Sequence, residues 1–84
     1  MTLDNLLKFP NEKVCIVLES LDLEDLEITD WLATKEEIQY LLSNVDADIS
    51  TQEPQVQRLV TIYRETSSNS TKGRVRWILN RLAV

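Results

Sequence analysis

The apolar residues of this 84-residue chain recur at the spacing of helical faces, most clearly in the last third. Residues spaced i, i+3, i+4 and i+7 lie on one side of an α-helix. One such face carries Val56, Leu59, Val60 and Tyr63, with Ile62 beside it; a second carries Val75, Ile78, Leu79 and Leu82, with Ala83 adjacent. The pattern predicts a helix over about 52–66 and another that starts at Ser70 or Thr71.

Three further helices are predicted upstream of this pair. Thr2 is a suitable N-cap for a first helix, which ends by about Lys8 because Pro10 disfavours helical geometry at Phe9. We expect the Phe9 side chain to fill the core where the chain turns. Asn11 is the predicted cap of a second helix, with Val14, Val17, Leu18 and Leu21 on its face and with Cys15 and Ile16 widening that face to most of the circumference.

The third of these helices has the strongest start signal. Thr34 and Glu37 form a capping box, in which each side chain satisfies an unpaired backbone N–H. Its predicted face is Ile38, Leu41, Leu42 and Val45. A similar box, Ser50 with Glu53, precedes the helix over 52–66 and leaves Pro54 near a first helical position, where proline is tolerated.

Residues 20–33 allow several structures. Leucine and isoleucine alternate there with acids, which suits a short helix, an irregular crossover or a poor strand. We favour a short helix over about 23–27. Thr29 is a candidate cap for another turn that carries Trp31 and Leu32, so either one kinked helix runs over 30–43 or two helices meet at Thr34.

Composition supports the same fold class. A single glycine and two prolines are too few for the many tight turns of an all-β protein. A chain of 84 residues has room for one core, so residues 1–84 are expected to form a single domain. The predicted fold is all-α, a compact orthogonal bundle of five or six short helices.

The residue types present argue against catalysis. Histidine is absent, which removes the commonest general base and the commonest metal ligand. Gly73 is the only glycine, so no glycine-rich phosphate loop exists, and Cys15 is expected to be a small core residue. We therefore expect no enzyme activity, no cofactor and no metal. No apolar stretch approaches about 18 residues, so a cytosolic protein is expected rather than one that spans a membrane.

Charge is distributed unevenly along the chain. Residues 1–54 carry thirteen acids and three bases, a net charge of −10, whereas residues 55–84 carry six bases and one acid, a net charge of +5. Opposite charges on two ends of a small domain can pair internally, dock head-to-tail with other copies, or meet an oppositely charged partner. Small six-helix modules of the death-domain type are similar in size, helix count and use of charged faces.

One edge of the last helix is the best candidate contact surface. Arg74, Trp77 and Arg81 follow the spacing i, i+3 and i+7, and Arg76 lies on the other edge. Tryptophan and arginine are over-represented where proteins bind each other, although Trp77 is also a good core residue. The leading hypothesis is a protein–protein interaction module (an adaptor, regulator or oligomerisation domain). Its predicted contact residues are Arg74, Trp77, Arg81, Arg76 and Lys72, together with the acids Asp22, Glu24, Asp25 and Glu27.

Two alternatives involve nucleic acid. The last helix has the composition of a recognition helix, and a helix-turn-helix register places Glu65 where a small residue is usual and Ser70 where an apolar one is usual. Asn69 fits the turn position because asparagine tolerates a left-handed conformation. The resemblance is weak, and the acidic remainder repels phosphate. The second alternative is an acidic nucleic-acid mimic, which would use the acids of residues 22–30.

Overall fold

Residues 1–28 and 33–83 are described by the computed structural model, in which they form five α-helices and one 3-10 turn. The helices are α1 (Leu3–Leu6), α2 (Asn11–Ser20), α3 (Lys35–Ser43), α4 (Pro54–Glu65) and α5 (Asn69–Arg81), and the 3-10 turn is Leu23–Asp25. Pairing of the β type is limited, among these residues, to two isolated bridges, Thr2 with Glu27 and Ala33 with Ala83. The all-α bundle predicted from the sequence is confirmed.

Helix α5 is the centre of the bundle. It packs against α2, α3 and α4, and its contacts with α4 are the most extensive. Val75, Ile78 and Leu79 on α5 are fully buried, and Leu82 directly after it is buried as well. A fully buried aliphatic side chain of this size stabilises a fold by about 1.5–3 kcal/mol relative to an exposed one. The apolar face predicted for the last helix is therefore the face that the other helices cover.

The two threonine caps form as expected. Thr2 Oγ1 accepts a hydrogen bond from the backbone N–H of Asn5 (3.2 Å), and α1 ends at Leu6, before the predicted limit at about Lys8. Thr34 Oγ1 accepts one from the N–H of Glu37 (3.1 Å) and its hydroxyl donates to the Glu37 carboxylate (3.2 Å). Helix α3 accordingly begins at Lys35. Both caps depend only on residues three positions apart.

Two other predicted caps and one predicted helix start are wrong. Asn11 is the first residue of α2 instead of its cap, and its side-chain oxygen accepts a hydrogen bond from Arg58 (2.8 Å). Ser50 pairs with Asp48, so that α4 begins at Pro54 with Glu53 as its N-cap. Ser68, rather than Ser70 or Thr71, caps α5. In the first two cases the side chain has a competing partner nearby, which removes it from the helix end.

The apolar faces of α2 and α3 are narrower than predicted. Ile16 is 70% exposed because it lies on the side of α2 opposite to Val14 and Leu18, both of which are fully buried. Cys15 and Phe9 are half-buried against the core, and burial raises the pKa of the Cys15 thiol. Val45 lies beyond the end of α3 and is 62% exposed.

Residues 20–28 adopt the irregular alternative more than the helical one. The 3-10 turn covers only Leu23–Asp25, and Asp22 caps it by accepting a hydrogen bond from the Glu24 N–H (3.1 Å). Leu26 is buried, whereas the acids around it are exposed. The turn predicted at Thr29, with Trp31 and Leu32, lies outside the described residues, as does the choice between one kinked helix and two.

Three arginines of α4 and α5 bind backbone carbonyls at the ends of upstream elements. Arg58 donates to the Phe9 carbonyl (2.7 Å) just before α2. Arg64 donates to the carbonyls of Asn44 and Ala47 (3.0 Å each) after α3, and Arg74 donates to that of Leu21 (2.7 Å) after α2. Helix ends leave carbonyls without intrahelical partners, and a guanidinium with several donors can satisfy them. These arginines fasten the N-terminal segments to the C-terminal helix pair.

Among the described residues, no helix combines the length and the apolar composition needed to cross a bilayer.

The contacts of Arg64 predict a large effect on stability. Arg64→Met is expected to lower the free energy of unfolding by about 2 kcal/mol, because the carbonyls after α3 lose a charged donor. The buried Nε–H of Arg64 has no acceptor among the described residues, which limits the loss. The matched variant Arg81→Met, at an exposed position, should cost less than about 1 kcal/mol. Urea unfolding followed by circular dichroism measures both. Equal losses would contradict the role given to Arg64.

Candidate functional site

An open groove of about 570 Å³ runs between α5 and the segment that follows α2. Leu21 and Leu23 contribute half-buried apolar side chains to it, and Trp77 contributes a half-buried indole. The complete lining is Leu21, Asp22, Leu23, Asn69, Ser70, Gly73, Arg74 and Trp77. Apolar surface, one acid and one guanidinium therefore adjoin in a single concave site.

Gly73 keeps the middle of this groove clear. A Cβ atom at this position would meet no atom within 4 Å, and the residue has ordinary helical φ. Glycine inside a helix destabilises it by about 1 kcal/mol relative to alanine. Neither packing nor backbone conformation requires glycine here, so its structural effect is to leave open space beside Trp77 and Arg74.

Arg74 forms one wall of the groove and also fixes the other wall. Its hydrogen bond to the Leu21 carbonyl ties residues 21–23 to α5. Arg74 as a residue is half-buried, so less of its side chain is available to a partner than for the exposed Arg81. Arg74 is thus a positioning residue for the groove as well as a predicted contact.

Trp77 and Arg81 form the exposed end of the predicted contact edge. The Arg81 guanidinium lies 5.5 Å from the centre of the Trp77 ring, within the range of a cation–π interaction. Arg81 itself is exposed, whereas Trp77 both packs on the core and lines the groove. The core interpretation of Trp77 agrees with its packing, and its role as a contact residue stays a prediction.

Lys72 and Arg76 lie away from this groove, around Tyr63. Arg76 donates a hydrogen bond to the Tyr63 hydroxyl (2.7 Å), and its guanidinium is 5.6 Å from the ring centre. The Lys72 ammonium is 5.7 Å from the same ring. A shallow depression of about 380 Å³ lies there, lined by Gln39, Leu42, Ser43, Tyr63, Arg76 and Asn80. The predicted basic residues of α5 therefore divide between two surfaces.

The acidic segment lies beside α5 rather than at the far end of the molecule. Asp22 lines the groove near the start of α5, whereas Glu27 and Ile28 line a small cavity with Leu82, just after its end. The backbone of Glu27 is held by Met1 and Leu3 (2.9 and 3.2 Å). The acids Asp22, Glu24, Asp25 and Glu27 are all exposed. Of these, Asp22 lines the same groove as Arg74, so opposite charges that are distant in sequence adjoin at that point.

Glu19, which the sequence did not single out, binds the start of α5. Its carboxylate accepts hydrogen bonds from the hydroxyls of Thr71 (2.5 Å), Ser70 (2.9 Å) and Ser68 (3.1 Å). These bonds, that of Thr71 first, lower the pKa of Glu19 below its ordinary value, and the positive charge of Arg74 adds to the effect. A negative charge is also favoured at a helix N-terminus. The run of hydroxyl residues was the only signal, because Glu19 lies about fifty positions upstream.

Comparison with models of protein families, with curated proteins and with solved structures gave no match. No match therefore supports the similarity to death-domain modules.

The Glu19 contacts predict a dependence of stability on pH. Since the pKa of Glu19 is lower in the folded protein, its contribution is complete above its ordinary pKa of 4.5 and is lost as the pH falls through the folded value. The urea midpoint should fall on acidification below about pH 4.5, and less so for Glu19→Gln, which lacks the titrating group. Glu12→Gln, on the first turn of α2, is the control. Identical acid profiles for Glu19→Gln and the unmodified protein would contradict this role.

Proposed function

We propose that this protein is a non-catalytic protein–protein interaction module that binds its partner in the groove between α5 and residues 21–23. The observation that carries the proposal is the groove itself, an open concave site in which Trp77, Leu21 and Leu23 adjoin charged groups. Sites of protein recognition combine an apolar centre with a polar, solvated rim. Tryptophan and arginine are also the residues that most often dominate the binding energy.

The groove is held in shape before any partner arrives. Arg74 joins one wall to the other, and Glu19 fastens the end of α2 to the first turn of α5. A preformed site loses less conformational freedom on binding than a mobile one, so more of the contact energy appears as affinity. These internal bonds support a binding role for the groove because they fix the positions of its lining residues.

The partner should present an apolar side chain flanked by charges of both signs. The apolar group would fill the space beside Gly73 and contact Trp77. An acidic group would meet Arg81, which is exposed, and a basic group would meet the acids of residues 22–25. Such complementarity raises the rate and the specificity of association more than the affinity.

Nucleic-acid binding is the less favoured alternative. Arg58, Arg64 and Arg74 direct their donors to backbone carbonyls, which leaves fewer cations for phosphates. Asn69 is helical instead of left-handed, unlike the turn that the helix-turn-helix register requires. A gel-shift titration at low salt is the direct check, and we expect no shift at about tens of micromolar protein.

An acidic mimic of nucleic acid is also disfavoured. Such a mimic needs an extended surface on which all charges are negative. Here Asp22 lines the same groove as Arg74, and Arg81 is exposed on the same helix as Arg74. A strongly basic partner would meet these cations as well as the acids.

Filling the groove should abolish binding without unfolding the protein. In Gly73→Gln a long neutral side chain occupies the space beside Trp77, whereas Gly73→Ala adds only a methyl group to that open space. Both should retain helical circular dichroism and gain up to about 1 kcal/mol in stability, because glycine is the poorer helix former. Affinity capture from extract of the source cells, with quantitative mass spectrometry, should show proteins held by the unmodified chain and by Gly73→Ala but lost with Gly73→Gln.

Arg81→Glu tests the charged rim of the same site. Arg81 is exposed and its change to glutamate should leave the fold intact, whereas a change of Arg74 would also release the Leu21 carbonyl. We expect Arg81→Glu to lose the proteins that Gly73→Gln loses. Retention of the same proteins by both folded variants would rule out the groove as the binding site.

A further inference from the structure

The shallow depression beside Tyr63 is lined by hydrogen-bond donors from two helices. Gln39 and Ser43, one turn apart, line it from α3, and Arg76 and Asn80, also one turn apart, line it from α5. All four of these residues are exposed, whereas Tyr63 packs half-buried against the core. Each polar side chain in the lining has at least one N–H or O–H group to donate. The depression therefore offers donors from both sides to one acceptor group.

The charge of this lining differs from that of the protein as a whole. The chain carries fourteen acids and nine bases, yet the described lining holds one cation, Arg76, and no acid. Lys72 lies outside the lining, one turn before Arg76, and its ammonium is 5.7 Å from the centre of the Tyr63 ring. Lys72 thus adds positive charge beside the depression. The local field attracts an anion to a protein whose net charge of −5 would repel one.

Tyr63 holds the Arg76 guanidinium in position for such an anion. The Tyr63 hydroxyl oxygen accepts a hydrogen bond from Nη2 of Arg76 (2.7 Å), and the guanidinium lies 5.6 Å from the ring centre. In the described part of the chain this is the one hydrogen bond of the Arg76 side chain, so its other N–H groups are available to an added acceptor. The hydrogen of the Tyr63 hydroxyl can be donated to the same acceptor.

We infer that this depression binds a carboxylate side chain of an acidic segment in a partner protein. A carboxylate carries one charge, which the one lining cation matches, and its two oxygens fit the planar fork of arginine. The neutral donors Gln39, Ser43 and Asn80 can satisfy its remaining lone pairs. A phosphate monoester carries a charge of about −1.5 to −2 at pH 7, more than this lining compensates. A nucleic-acid strand would need further cations along its backbone.

The shape of the depression favours a protein segment over a free small carboxylate. Small ligands bind in pockets that enclose most of their surface, whereas a shallow depression covers only one side of a bound group. A segment can contact the surrounding surface with its neighbouring residues and so gain affinity. The described lining shares no residue with that of the groove beside Trp77. This second contact surface therefore goes beyond the proposed function and does not depend on it.

Nuclear magnetic resonance of the isotope-labelled protein tests the site with a defined probe. The probe is a tetraglutamate peptide with both ends blocked, and the equivalent tetraglutamine peptide is its neutral control. At about 0.01 M salt, tetraglutamate at millimolar concentration should shift the side-chain N–H signals of Arg76, Gln39 and Asn80. At about 1 M salt, where charges act over only about 3 Å, these shifts should disappear. Unchanged signals at low salt, or equal shifts with tetraglutamine, would overturn the inference.

Three variants, each checked for helical circular dichroism, locate the binding. Arg76→Gln should weaken tetraglutamate binding by about tenfold or more, because it removes the charged donor. Tyr63→Phe should weaken it by about threefold or more and should also shift the Arg76 side-chain signal of the free protein, because the bond that positions the guanidinium is lost. Lys13→Gln removes one exposed charge on α2 and should leave binding unchanged. Equal losses in Arg76→Gln and Lys13→Gln would indicate a general effect of charge and overturn the site.

Other probes distinguish the alternatives. Tighter binding of inorganic phosphate or of a short single-stranded DNA than of tetraglutamate, at the same signals, would overturn the assignment of a carboxylate. Tetraglutamate shifts confined to Trp77 and Arg81 would place acidic groups at the groove, which overturns this inference and supports the proposed function. The result with Gly73→Gln in cell extract is measured separately, so the two proposals fail independently.

Discussion

Short helices leave many backbone carbonyls without an intrahelical partner for each residue they order. This constraint determines what several arginines of the protein bind. Helix α3 has nine residues and α2 has ten, so a large share of their carbonyls lies in a terminal turn. Arg64 serves the end of α3, and Arg74 serves the end of α2. Three of the six cations of the last third, Arg58, Arg64 and Arg74, have main-chain oxygens of the first two thirds as acceptors. For these three, the concentration of basic residues late in the sequence follows from the backbone groups they satisfy.

Local patterns predicted the helices well and their ends less well. The apolar spacing of α4 and α5 identified their buried faces because burial follows from a periodicity of a few residues. Thr2 and Thr34 cap as expected since their partners lie three positions away. Asn11 was mistaken for a cap because its side chain binds Arg58, which is distant in sequence. Ser50 was likewise withdrawn from the cap of α4 by Asp48, only two positions away, so a competing partner can be near or remote in sequence.

The candidate site was likewise predicted only as far as local helical geometry determines it. Helical geometry alone placed Arg74, Trp77 and Arg81 on one edge, and all three lie along the same side of α5. The groove beside them was not predicted, because it depends on the path of residues 21–28. That path is held by main-chain hydrogen bonds to Met1 and Leu3. Such bonds cannot be predicted from the pattern of apolar and polar side chains. Asp22 and Arg74 therefore adjoin in the groove, although the separation of charges in the sequence indicated two ends.

The central place of α5 also has a consequence for how the chain acquires its structure. Helices α4 and α5 are adjacent in sequence and make the most extensive contacts, so their pairing closes a loop of only three residues, 66–68. Helices α1 to α3 are too short to persist alone in water. They emerge earlier during synthesis and lack both the arginine donors and the core face of α5 until α4 and α5 have been made. Folding should begin at the C-terminal pair and proceed backwards, against the direction of translation.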